Sequence, residues 1–330
     1  MKVEKWSLLA GLRFLLASIV AVGHMPDFIS IGAWSVVPGF GPFEAVLGFL
    51  LISGFSIGSS YAKQPAGFLM RRVQRIYPIY VACLMVAVIA FGLPSVWTLL
   101  SNLLFLNQIV THESFIGPAW SLALEFWFYC LTPLLFRVPR LGLLIAASFA
   151  VFVVHTVGRT LFHWGYYSGL AYGQNLVLLG WAWIGGLWLS QRRGDWRWIA
   201  ALFAAHMALT AAIQVAYRMK HGDPFAGDLI EMAMRTVPLA LTVAAVRYAM
   251  VMRGGRVSKL LRLAGDVSFP LFLVHIPVYA FLKEWGWSTP AIYYGVALAV
   301  AGVMFFTLDQ YSRKRDLPKE VAKHSGLAPL

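Results

Sequence analysis

The chain has 330 residues, of which 59% are hydrophobic and only 12% charged, with a mean hydropathy of +0.70. That charge content is about half that of a soluble domain, so the composition describes a polytopic membrane protein and excludes a soluble enzyme. The net charge of +13 does not indicate nucleic-acid binding, because the basic residues are dispersed between apolar stretches rather than gathered on one face.

Windows of about 20 apolar residues mark membrane spans. Ten are predicted, over 8–29, 43–62, 77–95, 118–137, 141–159, 171–190, 196–216, 229–250, 264–283 and 290–311. The fold class is therefore all-α and integral to the membrane. A transmembrane domain covers 1–312 and a charged tail covers 313–330. Ala21-Val22-Gly23 loosely resembles a signal cleavage site, but Arg13 interrupts the apolar region a signal needs, so the first span is expected to be retained.

Lysine and arginine concentrate on cytoplasmic segments and orient such a chain. With the N-terminus inside, one side carries Lys2, Lys5, Lys63, Arg71, Arg72, Arg75, Arg137, Arg140, Arg192, Arg193, Arg197, Arg253, Arg256, Lys259, Arg262 and five tail residues, twenty in all. The other side carries five: Arg159, Arg218, Lys220, Arg235 and Lys283. Both termini are expected in the cytoplasm. The apolar stretch 95–109 is short and is interrupted by Asn102, Asn107 and Gln108, so a re-entrant or interfacial helix is expected there instead of an eleventh span.

Ionisable groups inside spans are costly and face a bundle interior or a wet cavity. The first span holds Arg13 and His24, eleven residues apart. That spacing is about 16 Å and three turns of helix, so both project from nearly one face. The second motif is Phe68 to Pro78, FLMRRVQRIYP. Its Arg71, Arg72 and Arg75 present guanidinium forks that match phosphate oxygens, although a basic cluster beside a membrane also contacts anionic lipid. The third is Pro118 to Pro133, PAWSLALEFWFYCLTP, with Glu125 two turns into the fourth span. Counted from the span ends, Glu125 and His24 are expected at a similar depth, where a carboxylate would orient an imidazole. The fourth is Leu263 to Pro277, with Asp266, Ser268 and His275. Ser53-Gly54 in the second span reads as a close helix contact. Cys83 and Cys130 lie in apolar segments and read as packing residues, and no metal-ligand or phosphate-loop pattern occurs.

Five motifs together resemble the membrane-bound acyltransferase 3 family, which includes O-antigen (lipopolysaccharide) and other polysaccharide O-acetyltransferases and antibiotic-sugar acyltransferases. Arg13 and His24 are similar to its Arg–His pair, FLLISGF at 49–55 to its FFVLSGF element, and Arg71 to Pro78 to its RRxxRIxP loop. Trp120, Ser121, Leu122, Glu125, Phe128 and Tyr129 resemble WSLxxExxFY, and Leu273, His275 and Pro277 resemble YLxHxP. The acid usual just before FFVLSGF is missing; Glu44 is the nearest.

The resemblance implies a multi-pass protein of the bacterial inner membrane that moves an acyl group, most often acetyl, from cytoplasmic acyl-CoA to a sugar hydroxyl on the outer side. Acyl-CoA would be a co-substrate; no bound cofactor, metal or nucleic acid is implied. Arg71, Arg72 and Arg75 would hold the donor's phosphates, and Arg13 the entry of its pantetheine arm. His24 would act as general base or carry the acyl group, with Glu125 orienting it. His275, Trp120, Ser121 and Tyr129 would be further substrate contacts. A proton-coupled transporter of a polar or acylated solute would also place Arg, His and Glu inside the bundle.

Overall fold

The computed structural model describes residues 4–191, 194–221, 226–252 and 254–309. The tail at 313–330, the side chain of Asp309 and the basic residues Arg192, Arg193 and Arg253 lie outside them. The described residues form twelve α-helices and no strand. They are α1 (Lys5–Gly23), α2 (Pro42–Lys63), α3 (Phe68–Phe91), α4 (Val96–Leu103), α5 (Ala119–Leu135) and α6 (Leu141–Phe162). There follow α7 (Gln174–Leu178), α8 (Gly180–Ser190), α9 (Trp196–His221), α10 (Ala226–Val251), α11 (Lys259–Glu284) and α12 (Pro290–Met304).

Eight helical stretches, α1, α2, α3, α6, α9, α10, α11 and α12 with the π-helical turn that extends it to Leu308, are long and apolar enough to cross a bilayer. The other two predicted spans take a different form. The fourth is α5, only 17 residues long. The sixth is divided into the five-residue α7 and the eleven-residue α8. A broken helix is tolerated at membrane depth only where protein covers it. That condition holds here, because Leu179, Gly180 and Trp181 at the break are buried. Ser148 Oγ accepts the Trp181 N–H at 2.7 Å, and Asn175 O accepts the Leu179 N–H at 2.9 Å.

The stretch 95–109 forms the eight-residue α4 and a buried turn, too short to cross a bilayer. Its three polar residues fasten that turn. Asn102 Nδ2 donates to the carbonyls of Thr98 and Glu113, and Asn102 Oδ1 accepts the Phe115 N–H. Gln108 Nε2 donates to Ser168 O, and Asn107 Nδ2 to Ser114 Oγ. Each of the three is at most 2% exposed, and α5 itself starts on buried residues, Ala119 to Ser121.

The centre of the bundle is built on α2. A Cβ at Gly54 would lie 1.9 Å from Trp183 O, and one at Gly186 would lie 2.1 Å from Leu51 O. The backbones of α2 and α8 therefore touch at a crossing only glycine permits. On its other side α2 runs antiparallel to α1: Gly23 lies against Pro42 and Leu16 against Gly48. Parallel to α1 runs α11, with Ser7 beside Ser258, Ala10 against Gly265 and His24 against His275.

Candidate active site

A cavity of about 480 Å³ lies between α1, α2, α3, α5 and α11. Its lining on α2 extends from Lys63 to Val46, about 26 Å of helix. One end is basic, with Lys63, Arg72, Arg75 and Arg262 around Trp6. The other end is apolar, with Val46, Leu50 and the edge-to-face pair Phe49–Phe272, ring centres 5.6 Å apart. The basic mouth is held by the chain's first turn. Glu4 caps α1 by accepting the Ser7 N–H at 3.0 Å and also receives Arg262 Nη2 at 3.2 Å.

The three arginines of the α3 motif separate into two roles. Arg72 and Arg75 line the cavity: Arg72 Nη2 donates to Ser60 Oγ at 2.6 Å, and Arg75 Nη2 stands 4.0 Å from Asp266 Oδ1. Arg71 does not line it. Its two Nη atoms donate to the carbonyls of Ala66 and Gln64, at 2.5 and 2.6 Å, and so hold the turn that ends α2.

Midway along the cavity, Arg13 Nη2 donates to Ser56 Oγ at 3.0 Å and interacts electrostatically with Glu125. Glu125 Oε1 accepts the Tyr129 hydroxyl at 2.5 Å and the Ser53 hydroxyl. Trp183 Nε1 donates to Ser53 Oγ at 3.3 Å. Ser121 lines the wall with its hydroxyl given to Pro118 O, whereas Trp120 is buried in the core. The lining serines 53, 56 and 60 were a legible signal, since they recur at helical spacing along one face of α2. Sequence reasoning missed Ser56, Ser60, Trp6 and Glu4 as parts of a site.

His24 and Glu125 are not brought together. His24 caps α1 beside Gly23, at the level of Pro42, whereas Glu125 sits at the level of Ser53. Eleven residues of α2, about 16 Å, separate those levels. The expected shared depth fails because α5 starts on buried residues, Ala119 to Ser121, behind a partly buried connection, so counting from its first residue does not measure depth from a membrane face.

The partner of His24 is His275. His24 Nδ1 lies 2.9 Å from Val20 O and 3.2 Å from His275 Nε2, and His275 Nδ1 lies 3.0 Å from Leu271 O. A carbonyl can only accept, so both Nδ1 atoms carry the hydrogen. His275 Nε2 is then an acceptor, and His24 Nδ1–H is shared between it and Val20 O. This leaves a lone pair on His24 Nε2, an atom that has no hydrogen-bond partner among the described residues and is not sealed inside the protein. His275 is fully buried. The pair sits about one helical turn beyond the apolar end of the cavity, because Pro42 is four residues past Val46. Phe272 bridges the two regions, its ring edge-on to His275 at 6.5 Å.

Glu44, the nearest acid to the α2 motif, faces away from the cavity. Its Oε1 lies 3.8 Å from both His206 Nε2 and Arg235 Nη1.

A transmembrane bundle with a basic cavity mouth and a histidine pair beyond its far end is compatible with an acyl-transfer enzyme, and sequence comparison decides the family. The acyltransferase 3 model, described as an acyltransferase domain, matches residues 8–308. The chain belongs to this family. Acyltransferase 3 membership covers nearly all the described helices and favours an enzyme over a transporter. Among curated proteins, the acyltransferase MdmB of Streptomyces mycarofaciens is 34% identical over 111 residues, covering 29% of each chain. The match thus spans under a third of that relative's length. No solved structure matches.

Proposed function

We propose that this acyltransferase takes its acyl group, acetyl in the simplest case, from acyl-CoA and passes it to a hydroxyl of a sugar or glycan. The observation that carries the reading is the cavity itself, with phosphate-binding chemistry at one end and an unprotonated imidazole nitrogen one turn past the other. Arg72 and Arg75, with Lys63 and Arg262 beside them, supply forks and charges for the donor's phosphates. The pantetheine arm lies along Arg13, Ser53, Ser56 and Glu125, whose polar atoms suit its amides and hydroxyl. The thioester then reaches the Phe49–Phe272 end, near His24.

His24 Nε2 accepts the proton of the acceptor hydroxyl as that oxygen attacks the thioester carbonyl carbon. The tetrahedral adduct collapses with cleavage of the carbon–sulfur bond. The departing thiolate takes a proton, which His24 supplies, and the imidazole is regenerated. As His24 becomes cationic its Nδ1–H stays donated to Val20 O and His275 Nε2, so His275 is the positioning residue that Glu125 was expected to be. The charge asymmetry of the connections supports a basic mouth in the cytoplasm and His24 toward the outer face, in a bacterial inner membrane. That arrangement suits a cytoplasmic donor and an acceptor presented outside.

The deciding experiment supplies [13C]acetyl-CoA to the protein in nanodiscs with a panel of glycosides, and compares cell-surface glycans by mass spectrometry with and without the gene. Acceptor-dependent CoA release, and a missing acyl group on glycans of the deletion strain, are expected. Unchanged glycans together with no thioester cleavage would overturn the reading.

A further inference from the structure

Away from the catalytic cavity, α9 and α10 meet near their ends, Trp196 with Arg247 and Arg218 with Asp228, and leave a gap between. A furrow of about 620 Å³ runs between them, lined by Phe203, Met207, Leu239 and Val243 and by alanines at positions where two helices would otherwise meet. Small facing residues in membrane helices ordinarily let backbones approach closely. Here they leave space instead. Both helices have the length and apolarity of membrane spans, so in a bilayer the furrow would face hydrocarbon. An apolar space of this kind does not hold water, and in a bilayer its natural filling is an acyl chain.

One end of the furrow is different. Arg247 lines it, exposed, four residues before the end of α10. Its guanidinium stacks 4.2 Å above the Trp196 ring, and Arg197 lies 6.0 Å from the same ring. Among the described residues no carboxylate pairs with Arg247. Trp196 opens α9, where an indole suits the headgroup level of a bilayer. This is the same end of the bundle as the basic cavity mouth, since α10 leads through a short connection into the start of α11, where Arg262 stands.

We propose that the α9–α10 furrow is a binding site for an anionic phospholipid, one acyl chain lying along the alanine-lined wall and the phosphate held by Arg247 over Trp196. A guanidinium with no carboxylate partner at the end of an apolar furrow complements a lipid that has both a chain and a negative headgroup. A zwitterionic lipid of the same chain length fills the furrow equally but lacks the net charge. The site is independent of the acyl-transfer reading, because none of its residues lines the catalytic cavity.

The test is native mass spectrometry of full-length protein, delipidated and then exposed to an equimolar mixture of phosphatidylglycerol and phosphatidylcholine with matched chains. Wild type is expected to retain phosphatidylglycerol about fivefold over phosphatidylcholine, the preference one interfacial arginine supports. Arg247→Gln should abolish the preference while retaining lipid, Arg247→Lys should keep most of it, and Ala240→Phe, which fills the furrow, should reduce retention of both. Thermal melting in detergent with either lipid added gives a second readout, in which phosphatidylglycerol should stabilise wild type more than Arg247→Gln. Equal retention of the two lipids by wild type, or an undiminished preference in Arg247→Gln, would overturn the proposal.

Discussion

The imidazoles of His24 and His275 stand 3.2 Å apart, Nδ1 to Nε2, each with its Nδ1 beside a helix carbonyl. This relationship fixes both tautomers and leaves one open nitrogen, on His24. In purified protein, His24→Gln should lose about 10²- to 10⁴-fold in turnover, because glutamine cannot take the proton. His275→Ala should lose about 10- to 100-fold, the worth of one hydrogen bond to a charged group. The rate should fall toward acidic pH, since a protonated His24 has no lone pair to offer. Near wild-type turnover in His24→Gln would remove the imidazole from the chemistry.

Arg72 and Arg75 face the cavity, and Arg71 is spent on two carbonyls of a turn. The Arg72→Ala/Arg75→Ala double variant should therefore bind acyl-CoA far more weakly in a titration, and lysine at either position should restore only part of the affinity. Arg71→Ala should leave donor affinity near wild type and lower the melting temperature modestly. Equal loss of affinity in all three variants would contradict the division of roles.

Glu125 lies far from His24 and close to Arg13, Ser53 and Tyr129. Glu125→Gln keeps an acceptor for both hydroxyls but removes the charge facing Arg13. Its main effect should appear in the KM for acyl-CoA, with a smaller change in kcat. A kcat loss as large as that of His24→Gln, with KM unchanged, would return Glu125 to the proton-transfer step.

The charge asymmetry of the connections makes orientation a prediction. Single cysteines at positions 72 and 256 should react with membrane-impermeant reagents only after the cytoplasmic face is opened, and one at position 113 should react from outside. Labelling of position 256 in intact cells would invert the assignment of donor and acceptor sides.

The α2–α8 crossing gives a stability prediction. Gly54→Ala and Gly186→Ala each place a methyl about 2 Å from a backbone oxygen on the facing helix. A methyl forced into a packed contact costs about 1–3 kcal/mol, and here the neighbour is backbone and cannot turn aside. Both variants should melt well below wild type in a detergent thermal-shift assay, whereas Gly302→Ala, with open space around it, should not.

Much of this was legible in the residues. Arg13, Arg72 and Arg75 announce themselves as cations in or beside apolar helices, and of Ser53-Gly54, read as a close helix contact, the glycine does lie against α8 while the serine turns to the cavity. The polar interruptions at Asn102, Asn107 and Gln108 marked a segment that does not cross. What could not be read is depth. Counting from span ends assumes every helix begins at a membrane face, and α5 starts on buried residues, so Glu125 was set beside the wrong partner. The break at Leu179–Gly180 was hidden for a related reason, since hydropathy registers apolar residues whether the helix is continuous or not. His275 carried a visible signal, an imidazole in a span, but only the parallel packing of α1 and α11 shows what it meets.

The glycine crossing has a consequence for how substrates come and go. With α2 pressed backbone to backbone on α8, the serine-bearing wall of the cavity is a fixed jaw. The opposite wall is α11, which contains Pro270 and Pro277, two residues with no backbone N–H to continue the helical ladder. Those two loosened turns flank the stretch that carries Phe272 and lead to His275. In the proposed reaction, a bulky donor would widen the cavity at these two turns of α11, and such a movement would also shift His275 and, through it, His24. Loading the cavity and arming the proposed base would then share one hinge.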